Sequence, residues 1–159
     1  MKYKLQVEPP RIRTVSGKAP LLYFGGLSED AREAAAKGCD VFLMWPDRKE
    51  TIAEIMADMD KRAAKYGRKL RYGYRAHVVV RETEAEARTA ADRLLSKLDA
   101  DTGAAIRAKS LDSTSVGVQA QAALRESAKD DGYAEPFLWT GVGRARSGCG
   151  AAIVGDPDQ

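Results

Sequence analysis

Hydrophobic and polar positions follow two alternating periods along the first hundred residues. Leu21 to Phe24 is a short apolar and aromatic run between Pro20 and Gly25-Gly26, the pattern of a buried strand bounded by breakers. Helical spacing follows. Ser28 stands where an N-cap belongs, Glu29 and Asp30 put negative charge on the first turn, and Ala31, Ala34 and Ala35 form a small-residue face. Gly38 suits a left-handed stop. Cys39 to Trp45 reads as a second buried strand, and Asp47 with Glu50 forms a capping-box pair ahead of Ile52, Ile55, Met56, Met59 and Ala63. Gly67 ends that helix, Leu70 to Val80 predicts a third strand, and Thr83 with Glu86 opens a third helix whose apolar face includes Ala87, Ala91 and Leu95. The order is βαβαβα. Strands separated by full helices are not hairpins, so the predicted fold class is α/β, a parallel sheet with right-handed crossovers.

Beyond Asp99 the pattern weakens. Asp101 to Ser115 is polar, Val116 to Ala128 is compatible with a helix, and Gly141 to Gly150 holds four glycines. Asp156-Pro157-Asp158-Gln159 has the local chemistry of a helix start, so residues 151–159 are expected to begin a helix. Three parallel strands leave two open sheet edges, which α/β folds cover or close. The chain is therefore expected to be part of a larger architecture, or to complete itself by assembling with other chains.

Composition narrows the class. A chain of 159 residues with 44% hydrophobic and 31% charged residues matches one globular domain with its own core. The 26 basic and 23 acidic side chains are interspersed, which argues against a nucleic-acid footprint. No apolar run approaches the roughly 20 residues of a membrane span, and the first ten residues lack a signal-peptide core, so a cytoplasmic location is expected. Cys39 and Cys149 lack the number and spacing of a disulfide framework or zinc site.

In parallel α/β folds, ligands collect at the carboxyl ends of strands. Gly25-Gly26-Leu27-Ser28 joins a strand to a helix there, offering a hydroxyl and helix N-terminal amides that suit a phosphate; a plain tight turn explains the same residues equally well. Along Leu70 to Val80, Arg71, Gly73, Arg75, His77 and Val79 share one face, predicted to point into a lumen or crevice, where a cation needs a partner or an anion. A lone histidine is more often structural than catalytic; Arg75 two residues from His77 brings the readings level. Gly141 to Gly150 carries Arg144 and Arg146, either as an exposed loop or as a lid whose arginine closes on an anion. Trp45 beside Pro46 is a candidate flat wall, or ordinary core.

Four segments carry a family resemblance: Pro20 to Gly26, Asp40 to Trp45, Gly67 to Glu82, and Gly141 to Asp156. Together they closely resemble consecutive blocks of the FMNH2-dependent alkanesulfonate monooxygenases, within the bacterial-luciferase-like flavin monooxygenases. The likeness runs from about Pro20 to Gln159, and the spacing from Trp45 to Arg75 and His77 fits without a gap. It implies a partial (β/α)8 TIM barrel over residues 1–159, with a βαβαβα core at 20–99 and an insertion with a mobile glycine-rich loop at 100–150; the amino-terminal half and last strand are absent. By resemblance, Trp45, Arg75 and His77 match catalytic positions and Arg146 the substrate-binding arginine of the mobile loop. Gly25, Gly26 and Ser28 match the loop that holds the FMN phosphate, although Leu27 stands where the family often has another hydroxyl. The implied cofactor is reduced FMN from a separate NAD(P)H-dependent flavin reductase. The implied reaction takes an organosulfur substrate, an alkanesulfonate, with O2 to aldehyde and sulfite. A second expectation is a non-catalytic flavin- or anion-binding half-barrel that works by association; the implied assembly is a homo-oligomer or a complex with the missing barrel half.

Overall fold

The computed structural model describes residues 6, 8, 14–109, 114–145 and 148–158. Its first unit is β1 (Tyr23–Phe24), α1 (Glu29–Gly38), β2 (Val41–Met44), α2 (Lys49–Ala64) and β3 (Arg71–Tyr74). The three strands form one parallel sheet in the order β1-β2-β3, with Tyr23 opposite Val41 and Phe42 opposite Tyr72. Helices α1 and α2 pack together over this sheet, where the fully buried Phe42 and Met59 meet Ala35 and Ala36. The alanines leave the space that these larger side chains fill, and burying each large apolar side chain contributes roughly 1.5–3 kcal/mol.

The expected parallel α/β order therefore holds, with four local corrections. The run Leu21 to Phe24 is exposed rather than buried, Tyr23 being 58% accessible, because among the described residues β1 pairs on one side only. Gly38 is the last helical residue of α1 and Cys39 the C-cap, its N–H donating to Ala35 O at 2.9 Å, so no left-handed glycine is used. Helix α2 begins after Arg48; Asp47 Oδ1 accepts from the adjacent Arg48 N–H at 2.7 Å and forms no capping box. The caps at Ser28 and Thr83 form as expected, the latter with both bonds of its box to Glu86.

The fourth correction concerns Leu70 to Val80, which is two strands. Arg75 N–H donates to Met44 O at 2.9 Å as the last link to β2, whose ladder cannot continue past Pro46. After Ala76 the chain takes a new partner. β4 (His77–Val80) runs parallel to β7 (Ala152–Gly155), which pairs antiparallel with β6 (Leu138–Trp139), itself antiparallel to β5 (Tyr133–Glu135). The alternation slips at the break. Leu70 is buried and Tyr72 reaches α2 through Met56 O and Asp60, yet beyond Ala76 it is Val79 that packs inward while Val78 and Val80 stay exposed. Arg75 and His77 thus do not share one continuous strand face.

The second sheet packs on α3 (Glu84–Leu95), where Ala87 and Ala91 meet Tyr133, Trp139 and Val154. Two further helices fill the polar region, α4 (Ala100–Ala108) capped by Asp99 and α5 (Val116–Glu126) capped by Ser115. A single turn, α6 (Val142–Ala145), follows β6. Residues 151–159, expected to begin a helix, open with β7; the helix-start chemistry forms only a turn, with Asp158 N–H donating to Asp156 Oδ1 at 3.0 Å.

Candidate active site

The carboxyl ends of β1 and β2 and the start of α1 converge on one place. Ser28 leaves β1 in extended conformation, and its Oγ accepts from Ala31 N–H at 3.3 Å, so the hydroxyl hydrogen remains available to a ligand. The two glycines before it are required by packing. A Cβ on Gly25 would lie 3.1 Å from Leu43 O, and one on Gly26 would lie 2.8 Å from Ala31 Cβ.

Opposite stands the insertion, fastened to the loop after β2. Gln121 Nε2 donates to Pro46 O at 2.9 Å, Arg48 donates to Ser127 Oγ at 3.0 Å and to Ala134 O, and Lys49 N–H reaches Glu135 at 3.3 Å. These bonds bring α5 against Trp45, where a Cβ added to Gly117 would sit in ordinary contact, 3.5 Å from the indole. Between the two walls lies a cleft of about 550 Å³. Gly25, Gly26 and Ser28 line one side, Trp45 and Arg75 the end, and Thr114, Ser115 and Gly117 the other side. Leu27, Leu43, Met44 and Val116 make the remaining surface apolar.

The electrostatics favour an anion. α1 and α5 both direct positive N-terminal ends at the cleft, each capped by a serine, and the exposed guanidinium of Arg75 adds a full charge. A volume in the 300–1,000 Å³ range, apolar walls and a few polar groups define a site for a small organic molecule with a flat apolar part and an anionic end.

Five of the residues singled out by sequence are thus brought together: Gly25, Gly26, Ser28, Trp45 and Arg75. His77 is not among the cleft-lining residues; its Nε2–H donates to Cys149 O at 2.9 Å, tying β4 to the glycine-rich segment. Arg146 lies outside the described residues. The sequence reading missed the cleft side formed by Thr114, Ser115 and Gly117. Ser115 ahead of Val116 to Leu124 was an available helix-start signal, but nothing local placed that start near Trp45.

The family description "Luciferase-like monooxygenase" matches residues 3–159, and the chain belongs to this family, whose members are flavin-dependent in general. Two relatives carry the same name. The chain is 66% identical over 157 residues to a sulfoquinovose monooxygenase of Novosphingobium aromaticivorans, and 55% identical over 155 residues to one of Agrobacterium fabrum. These alignments take in 99% and 98% of this chain but 43% and 40% of those proteins, so it spans less than half their length. Among solved structures, DmoA from Hyphomicrobium sulfonivorans superposes over 87% of this chain and 32% of its own, with a TM-score of 0.58 at 16% identity. The fold is accordingly part of the luciferase-like TIM barrel.

Proposed function

We propose that this chain forms the flavin-phosphate and sulfonate end of a reduced-FMN-dependent monooxygenase whose substrate is an organosulfonate. The observation that carries the reading is the single cleft uniting Gly25 to Ser28, Trp45 and Arg75. Its donors and apolar walls fit flavin mononucleotide. The Ser28 hydroxyl and the α1 amides would hold the phosphate, Trp45 and Met44 would bound the ring, and Arg75 would hold the sulfonate's charge. Reduced flavin supplies the electrons that activate O2; one oxygen atom goes to the carbon bearing sulfur and the other to water, releasing an aldehyde and sulfite. A separate NAD(P)H-dependent reductase would deliver the flavin, in the cytoplasm. Among sulfonates, a sulfonated sugar such as sulfoquinovose is favoured over a simple alkanesulfonate. The relatives' names support it, as do the hydroxyls of Thr114 and Ser115 on the insertion side, which suit a polyol and offer an alkyl chain nothing.

Fluorescence titration of the chain with FMN and riboflavin tests the phosphate assignment. FMN should bind at least about tenfold tighter, and Ser28→Ala should remove much of that difference; equal affinities would overturn it. In a complete barrel carrying these residues, sulfite release from sulfoquinovose should exceed that from alkanesulfonates, and Arg75→Ala should lower it by about 100-fold or more.

A further inference from the structure

A second, smaller cavity lies between α5 and the glycine-rich segment. Its lining includes Gln121, Arg125, Thr140 and Gly148 to Gly150, the Thr140 hydroxyl already donating to Gly132 O at 2.9 Å. Gly148 and Gly150 also abut Trp45, where an added Cβ would come within 3.7 and 3.8 Å of the indole. The volume is about 40 Å³. One water needs about 10–15 Å³, so there is room for roughly three or four water-sized groups, the number of oxygens that surround the central atom of a sulfite, sulfate or phosphate.

Arg125 is half-buried, and its one hydrogen bond among the described residues is a long one, 3.3 Å from Nη1 to Gly143 O. Two more guanidiniums stand close by. Arg107 donates to Arg144 O, and Arg107 and Arg144 both lie near enough to oppose the charge on Arg125. Among the described residues, none of the three is within ion-pair distance of a carboxylate. The other half-buried arginines away from this cluster are better satisfied: Arg32, Arg62, Arg68 and Arg88 each have an acidic partner, and Arg48 donates to Ala134 O and to Ser127 Oγ. Burial first, then Arg107 and Arg144, push the Arg125 guanidinium below the usual arginine range, with only Glu126 opposing. A half-buried cation among like charges is costly unless a counter-ion joins it.

We propose that the Arg125 cavity is a second anion site, distinct from the main cleft, that takes a small oxyanion of the size of sulfite, sulfate or inorganic phosphate. The cavity admits such an ion and is too small for a nucleotide or a sugar sulfonate. An occupant would bridge α5, α6 and the Gly148 to Gly150 segment, the stretch that His77 also holds through Cys149 O. The site therefore links anion binding to the seating of the glycine-rich segment beside Trp45. It stands independently of the proposed reaction, although sulfite, the product of that reaction, belongs to the class it accepts.

The test is a titration of the full chain with sodium sulfite, sulfate and phosphate at ionic strength matched with chloride, followed by tryptophan fluorescence and calorimetry. At least one oxyanion should bind saturably. Arg125→Gln should weaken binding about tenfold or more and the exposed Arg144→Gln severalfold, while Arg75→Gln in the main cleft should leave it within about twofold. Arg144→Gln also serves where Arg125→Gln fails to fold. Preference for sulfite would mark a product site, and preference for sulfate or phosphate a resident anion; either supports the assignment. No saturable binding above the chloride control would overturn it, as would binding that Arg75→Gln abolishes and Arg125→Gln and Arg144→Gln leave intact. Neither result depends on flavin binding or turnover, so failure here is separable from failure of the proposed function.

Discussion

Phe137 occupies a backbone conformation that its residue type resists. Its φ is 68°, the only positive value outside glycine among the described residues, and it follows Pro136 at the tip of the β5–β6 connection as in a type II turn. The left-handed conformation costs an L-residue roughly 1–2 kcal/mol, and asparagine tolerates it better than phenylalanine. Phe137→Asn should therefore raise stability by about 0.5–1 kcal/mol, seen as a higher urea midpoint with an unchanged slope. A lower midpoint would show that the half-buried ring contributes more than the turn loses. Single residues were legible where their role is local. Ser28 and Thr83 cap as their spacing demands because a cap reads only the next three residues. Asp47 does not, since Arg48 is drawn to Ser127 and Ala134, partners some eighty positions away that no local pattern announces.

At the scale of elements, α1 and α2 are joined by charge as well as by packing. Arg62 contacts Glu29 at 2.6 Å, Glu33 at 3.2 Å and Asp58 at 2.9 Å, and Asp58 also receives Arg32 at 3.0 Å. The Arg62 hydrogen bond first, and then Arg32, hold the Asp58 carboxyl below its ordinary value of 3.8, with burial opposing. A depressed folded-state value means that the contribution is fully present above the unfolded value and is lost as pH falls through the folded one. Stability should accordingly drop below about pH 4, and Asp58→Asn should be less stable at neutral pH but flatter in that acid range. Parallel acid profiles for the two proteins would exclude Asp58 as the source. Helices α1 to α3 were legible from period and caps. The break in Leu70 to Val80 was not, because both halves keep strand composition and the break is set by Pro46 just past the end of β2 and by the arrival of β7. The insertion was the least legible part: Gly103 and Gly117 lower helix propensity, yet Gly103 is required by a close approach, an added Cβ falling 2.7 Å from Arg144 O.

For the whole molecule, the strongest constraint is the surface left without a partner. Leu21, Leu22 and Tyr23 are 54%, 52% and 58% exposed, and Phe24 is 37% exposed, along a strand that among the described residues is bonded only to β2. Val78 at 64% and Val80 at 43% repeat the pattern on β4. Apolar side chains beside open ladder groups invite another strand, and in the luciferase-like barrel each strand has two neighbours. The notion that the fold is a partial barrel was legible from the βαβαβα order and the family blocks, and these accessibilities give it a measurable consequence. The chain by itself should self-associate, and Tyr23→Lys should reduce that association without lowering stability, because the ring contributes little to the core. Light scattering reads the first effect and denaturant unfolding the second. Hydrogen exchange distinguishes the partner. The amide at position 23, whose N–H faces away from β2, should exchange rapidly in the Tyr23→Lys monomer, and that of Tyr23 should become protected when the remainder of a sulfoquinovose monooxygenase barrel is added to the unsubstituted chain. A compact unsubstituted monomer, with the Tyr23 amide already protected, would mean that β1 is satisfied within the chain and that the open edge is not what drives assembly.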